Sequence, residues 1–172
     1  MIRVVFVSLL LIFSAHARFR AGAAAEDVTP VEWPLALRGS FHPQLTKSAH
    51  DPLYSRAIVF DDGETRIAIA VVDSCMIGRD VLDRAKEIVA EKTDIPTERI
   101  LISATHTHSA PFANASNGTP EELAYQKLLT AGIAESIVKA NGALQPAEFG
   151  SSGHDLADEV FNRRWFLKAG TM

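Results

Sequence analysis

The chain opens on an unbroken apolar run, Val4 to Phe13, with Arg3 before it and Ser14-Ala15-His16-Ala17 after it. A membrane-spanning helix needs roughly 20 apolar residues, and this run is about half that length. A basic start, a short apolar stretch and an Ala-x-Ala end make residues 1–17 a secretory signal peptide, with Ala23-Ala24-Ala25 as a second cleavage point. The mature chain, residues 18–172, is therefore expected to be secreted or periplasmic. Beyond it, the small apolar residues from Phe19 to Val28 predict a first strand. Val31 to Pro52 holds three prolines and only scattered apolar residues, a long loop of the kind that usually carries function or disorder. Its histidines, His42 and His50, read as surface residues.

Tyr54 to Phe60 and Arg66 to Val72 are β-branched and aromatic runs on either side of Asp61-Asp62-Gly63-Glu64. Asp-Gly between two such runs predicts an antiparallel hairpin, since glycine tolerates the positive φ of the tight turn. Ile67, Ile69 and Val71 alternate with Ala68, Ala70 and Val72, so both faces of the second strand are apolar, as in a central strand. The period then changes. Val81, Leu82, Ala85, Ile88 and Val89 fall at helical spacing between Arg79 and Lys92, and Arg99 to Ala104 returns to a short strand. Strand, helix and strand predict a βαβ unit with two parallel strands. Thr119-Pro120-Glu121-Glu122 announces a second helix with a capping box and proline at the first helical position, and its apolar stripe reads Ala124, Leu128, Ala131, Ala134 and Val138. Ala147 to Ser151 and Glu159 to Lys168 read as a final strand pair, followed by a turn. The fold class is α/β, a mixed β-sheet with a βαβ unit and flanking helices.

Composition narrows the function classes. With 172 residues, 47% hydrophobic and 22% charged, the chain has the make-up of one globular domain. Its net charge of −4 lacks the basic footprint of a nucleic-acid binder. Cys75 is the single cysteine, which excludes an internal disulfide and a cysteine-built zinc site. With no basic neighbour along the chain, it reads as a small buried residue.

Candidate chemistry concentrates in Ser103-Ala104-Thr105-His106-Thr107-His108-Ser109-Ala110-Pro111, directly after the second parallel strand. Sites in open α/β sheets form at the carboxyl ends of strands. In extended backbone, at about 3.3 Å per residue, His106 and His108 would project to the same side with Cα atoms roughly 6–7 Å apart. Two such imidazoles can share one ion, or one can bind it while the other meets substrate. Neutral imidazole suits zinc, and a catalytic zinc takes three protein ligands and an open position. Thr105, Thr107 and Ser109 are candidates for orienting the second ring nitrogens. Asp73, ending the neighbouring strand, reads equally as a supporting carboxylate or as a helix-start residue.

Taken in order, Asp27-Val28-Thr29-Pro30, Asp51-Pro52-Leu53-Tyr54-Ser55-Arg56-Ala57, the Asp61-Asp62-Gly63 turn, Ile100 through Ser109 and Phe161-Asn162-Arg163-Arg164-Trp165 resemble the N-terminal part of the neutral/alkaline, non-lysosomal ceramidase family. The resemblance runs from Phe19 to the end of the chain, and Thr-His-Thr-His-Ser is its most specific element. It implies a secreted zinc amidohydrolase that cleaves ceramide into sphingosine and a fatty acid, with a zinc-bound water as nucleophile. It implies His106 as a zinc ligand, His108 as an active-site residue that is not a principal ligand, and Arg163 as a catalytic cation near the scissile amide. The implied partners are a ceramide-like N-acyl lipid and the membrane surface presenting it, with oligomeric state left open. Two departures stand out. Ala110 occupies a position where the family usually has glycine. The remaining zinc ligands of the family, a histidine, a glutamate and a tyrosine, lie beyond the span of this chain, and His154 falls too early to supply one. The chain is accordingly expected to be inactive alone. The competing reading is a non-catalytic exported protein that keeps this α/β layer and binds a lipid or a partner.

Overall fold

The computed structural model describes residues 19–39, 42, 44–111, 113, 118–156, 158 and 168–170. The expected signal peptide, the Phe161–Trp165 element with Arg163, and all but Lys168 of the strand expected over Glu159–Lys168 lie outside the described residues. In chain order the elements are β1 (Arg20–Asp27), β2 (Leu35–Leu37), β3 (Gln44–Thr46), β4 (Tyr54–Asp61), β5 (Arg66–Val72), α1 (Arg79–Lys92), β6 (Ile100–Ala104), α2 (Pro120–Gly142) and β7 (Gln145–Pro146). Five strands form one sheet in the order β6-β5-β4-β1-β7, and β2 pairs with β3 in a small separate hairpin. That hairpin occupies the stretch expected to be a plain loop. Ala147 to Ser151 is irregular, and the short strand at the end of α2 falls instead on Gln145–Pro146, beside β1.

The expected hairpin and βαβ unit are both present. β4 and β5 run antiparallel with Ala57 opposite Ala70, while β5 and β6 run parallel with Ala68 beside Ile100 and Val72 beside Ala104. Ala57, Val59, Ala68, Ala70, Val72, Ile100 and Ile102 share one face and are buried in a common core with Val81, Ala85 and Val89 of α1 and with α2. The opposite face is less enclosed than a central strand's alternation suggests: Ile67 and Val71 are each 39% exposed and Leu101 is 58% exposed. Apolar patterning reports that both faces suit a sheet, but only the packing decides which one a helix covers. Among the described residues no helix is long and apolar enough to cross a membrane.

Helix α2 begins as its sequence dictates. The Glu122 amide donates to Thr119 Oγ1 at 3.3 Å, and the Thr119 amide donates to Glu122 Oε2 at 3.0 Å. Its buried face differs from the stripe expected. Tyr125, Leu129, Gly132, Ile133, Ser136, Ile137 and Ala140 face inward, whereas of the expected set Ala134 is buried and Ala131 is exposed. Small residues are spread around this helix, so its periodicity leaves the inward face ambiguous. Close approach to the sheet settles it. A Cβ at Gly132 would overlap Val28 Cγ1, and Ser136 Oγ lies 2.9 Å from Ser55 Oγ on β4.

At the far end of the β4–β5 hairpin, the buried Asp61 carboxylate accepts from the Gly63 amide at 2.8 Å, from Arg66 at 2.8 and 3.0 Å, and from Arg20 of β1 at 2.6 Å. The Gly63 amide first, then the two guanidinium groups, hold this carboxyl at about 2, below its ordinary 3.8. One carboxylate thus fixes the turn and ties three strands together.

Two predictions follow from this packing. Gly132→Ala should destabilise the chain by about 1–3 kcal/mol, because the added methyl has to displace Val28, as read from urea unfolding. Asp61→Asn should cost about 1–3 kcal/mol at neutral pH. A depressed folded pKa stabilises above the unfolded pKa and ceases to do so as pH falls through the folded one. The gap between the wild type and Asp61→Asn should therefore close as pH is lowered from 3.8 towards about 2. Denaturation curves at stepped pH test this, and a gap constant over that range contradicts it.

Candidate active site

The parallel strands β5 and β6 end side by side, and the segments leaving them stay joined. The Thr105 amide donates to the Val72 carbonyl at 2.9 Å, and the His106 amide donates to the Ser74 carbonyl at 2.9 Å. Ladder pairing is thereby prolonged just past the strands, and it delivers the first histidine over the residues that follow β5. His106 leaves extended geometry with φ of 63°, in the left-handed region that non-glycine residues visit sparingly. This turn alters the arrangement expected from an extended Thr-His-Thr-His run. The two imidazoles lie edge to face, with ring centroids 5.0 Å apart and planes at 77°.

The His106 ring has a defined partner. Nδ1 lies 2.9 Å from the carbonyl oxygen of Cys75. A carbonyl only accepts, so Nδ1 carries the proton and donates, and Nε2 keeps its lone pair. The orienting acceptor is thus a backbone carbonyl following β5, in place of the Thr105, Thr107 and Ser109 hydroxyls expected for the role. Thr107 Oγ1 instead accepts from the Ser109 amide at 3.3 Å.

Cys75 is buried, as expected, but its surroundings differ from its sequence neighbourhood. Its Sγ is 3.7 Å from His106 Nδ1. Cys75, His106 and His108 each bring one potential ligand atom within 4.8 Å of the others, with the cysteine buried and both histidines exposed. Chain distance hid this neighbour, because it arrives from the next strand over. Asp73 takes neither of its two expected roles. Its Oδ2 accepts from the Tyr54 amide at 2.9 Å and from Arg56 Nη1 at 2.8 Å, which pins the start of β4 to the end of β5.

The loop carrying His108 is held from both sides. Leu37 of β2 bridges to Pro111, and the Arg38 amide donates to the Ala110 carbonyl at 3.3 Å. On the other side Ile77 bridges to Ala113, whose carbonyl accepts from the Gly78 amide at 3.0 Å. Ala110 is fully buried, and the non-glycine residue with positive φ in this loop is His106, so the expected glycine position accepts alanine without backbone strain. A cavity of about 340 Å³ adjoins the loop, lined by Thr107, Ser109 and Pro111 on one side and by Trp33, Leu37 and Leu53 on another. His50 also lines it and pairs with Asp51 at 3.1 Å, both highly exposed. His42 and His154 are exposed. Arg163 lies outside the described residues.

An α/β domain that presents two imidazoles at the carboxyl ends of parallel strands, on a loop whose Thr107 and Ser109 line a cavity with apolar walls, carries its candidate chemistry where open α/β sheets form their sites. The sequence profile of "Neutral/alkaline non-lysosomal ceramidase, N-terminal" matches residues 19–166, and the chain belongs to this family. Neutral ceramidase B of Dictyostelium discoideum is 30% identical over 164 residues, covering 89% of this chain and 23% of that protein. Neutral ceramidase A of the same organism is 30% identical over 161 residues, covering 87% and 22%. The crystal structure of neutral ceramidase from Pseudomonas aeruginosa superposes with a TM-score of 0.64 at 25% identity, covering 76% of this chain and 22% of that one. The chain therefore spans less than a quarter of the length of these relatives.

One expectation belongs to this geometry alone. At a pH where the imidazoles are neutral, His106 should populate the Nδ1–H form. Long-range proton–nitrogen spectra of the side chain report this directly, and a dominant Nε2–H form would contradict the Cys75 hydrogen bond.

Proposed function

We propose that this chain is the N-terminal part of a secreted, zinc-dependent amide hydrolase that acts on ceramide-like N-acyl lipids. On this reading residues 1–17 are its signal peptide and residues 18–172 its partial catalytic domain. The observation that carries the proposal is the His106–Cys75 hydrogen bond: it commits Nδ1 and leaves Nε2 of an exposed ring as a lone-pair donor, which is the state a metal-ligating histidine needs. This nitrogen is a donor of the kind zinc takes, with His106 as the ligand from this segment and the rest of the donor set outside it. Zinc bound there would polarise the amide carbonyl and lower the pKa of water.

The chain's own residues supply positioning and proton handling. The Cys75 carbonyl keeps His106 in one tautomer and one orientation. His108, whose ring lies 5.0 Å from that of His106, would hold or pass a proton at the scissile amide on this reading. Arg163 supplies N–H donors for the negative charge that develops on the amide oxygen. The cavity beside Thr107 and Ser109 offers apolar walls to a lipid chain and hydroxyls to its polar end.

A second reading, an exported protein that binds a lipid or a partner without catalysis, draws on the ligand count. Among the described residues the group able to hold a metal is Cys75, His106 and His108, with no carboxylate. The 172-residue chain alone is accordingly expected to retain no stoichiometric zinc and to hydrolyse no N-acyl lipid.

The hydrolase reading is tested by a chimera in which residues 19–166 replace the matching segment of the Pseudomonas enzyme. Zinc-dependent release of fatty acid from a ceramide is expected. His106→Ala should abolish it together with zinc retention, His108→Ala should lower kcat by about 10²–10⁴, and Arg163→Ala should lower it by about 10²–10³. A folded, zinc-loaded chimera with no amidase activity would refute the proposal.

A further inference from the structure

We propose that Gly39, at the end of β2 and far from the histidine motif in sequence, is a positioning residue for His108. Two independent features demand glycine there. Its φ of +103° lies in the left-handed region, and a Cβ built on it would overlap Cγ and Cβ of His108 and sit 2.6 Å from Nδ1. The bare backbone of residue 39 is therefore the surface against which the base of the His108 ring, around Cγ, rests.

The contact is built in, because the two segments are joined on either side of it. Immediately before Gly39, the Arg38 amide donates to the Ala110 carbonyl, and Leu37 bridges to Pro111. Both tethers land two and three residues beyond His108. Gly39 and His108 are thus carried on one bonded frame, and a shift of the β2–β3 hairpin shifts the ring with it. The ring also meets His106 edge to face. In contact with both a glycine backbone and a second imidazole, His108 keeps one orientation although it is exposed to solvent. The functional weight of this orientation rests on the hydrolase reading, in which His108 handles a proton; the ring placement itself does not.

The test uses the full 172-residue chain as wild type, Gly39→Ala, His108→Ala, the double variant, and Gly142→Ala as a control at a glycine with open space around it. In the wild type, the His106 ring protons are expected to carry a ring-current displacement from His108. That displacement should be lost in Gly39→Ala, moving the His106 resonances towards their positions in His108→Ala, and it should be unchanged in Gly142→Ala. The drop in urea midpoint caused by Gly39→Ala should shrink in the His108→Ala background, where the overlap is gone and only the φ cost remains. If Gly39→Ala folds only in the His108→Ala background, that recovery supports the proposal. Wild-type His106 resonances in Gly39→Ala, an equal midpoint loss in both backgrounds, or failure to fold in both would overturn it. These measurements need neither metal nor substrate, so an inactive chimera counts against the hydrolase reading and leaves Gly39 to be judged by its own cycle.

Discussion

The parallel pairing of β5 with β6 is the constraint on which the rest of this domain depends. Parallel neighbours need a crossover, and α1 supplies it while adding Val81, Ala85 and Val89 to the core. The same pairing brings two chain exits to one edge, where Val72, Ser74 and Cys75 offer carbonyls to Thr105, His106 and the His106 ring. Burial of the alternate residues Ala68, Ala70, Val72, Ile100 and Ile102 fixes the register, since a one-residue slip would turn every one of them to the open face. The position of the first imidazole is therefore a consequence of core packing several residues away.

Around that edge the fold spends small residues on proximity. Gly132 and Ser136 let α2 approach β1 and β4, and Gly39 lets the small hairpin approach His108. Side chains at these points would push layers apart instead of filling space. At the opposite end of the sheet, Asp61 gathers the Gly63 amide and two arginines so that β1, β4 and β5 share one buried carboxylate. At the histidine end the Asp73 carboxylate plays a similar part, joining the start of β4 to the end of β5.

Much of this was legible along the chain. The Asp61-Asp62-Gly63 turn, the α1 period from Arg79 to Lys92 and the capping box at Thr119 are local signals, each decided by residues within one or two turns of each other, and each appears where expected. The α2 stripe was misplaced because alanines are compatible with either environment; the deciding contacts, with Val28 just past β1 and Ser55 on β4, come from distant parts of the chain. The β2–β3 hairpin was hidden in a proline-rich stretch, since strands of three residues carry too little alternation to register.

Family membership and the histidine motif were determined by sequence, because the motif is contiguous and its residue types already define the chemistry available to it. The composition of the site was decided only in three dimensions. Cys75 lies 31 residues from His106 and appears isolated from any base until β6 lies beside β5. Gly39 gives no sign of contact with His108 until Arg38 and Leu37 are tied to the loop beyond it. Even the tautomer of His106 is set by a carbonyl in the segment that follows β5, and a carbonyl has no side-chain identity for a sequence to reveal. Local signals specify the parts, whereas long-range pairing selects which backbone and side-chain atoms become neighbours.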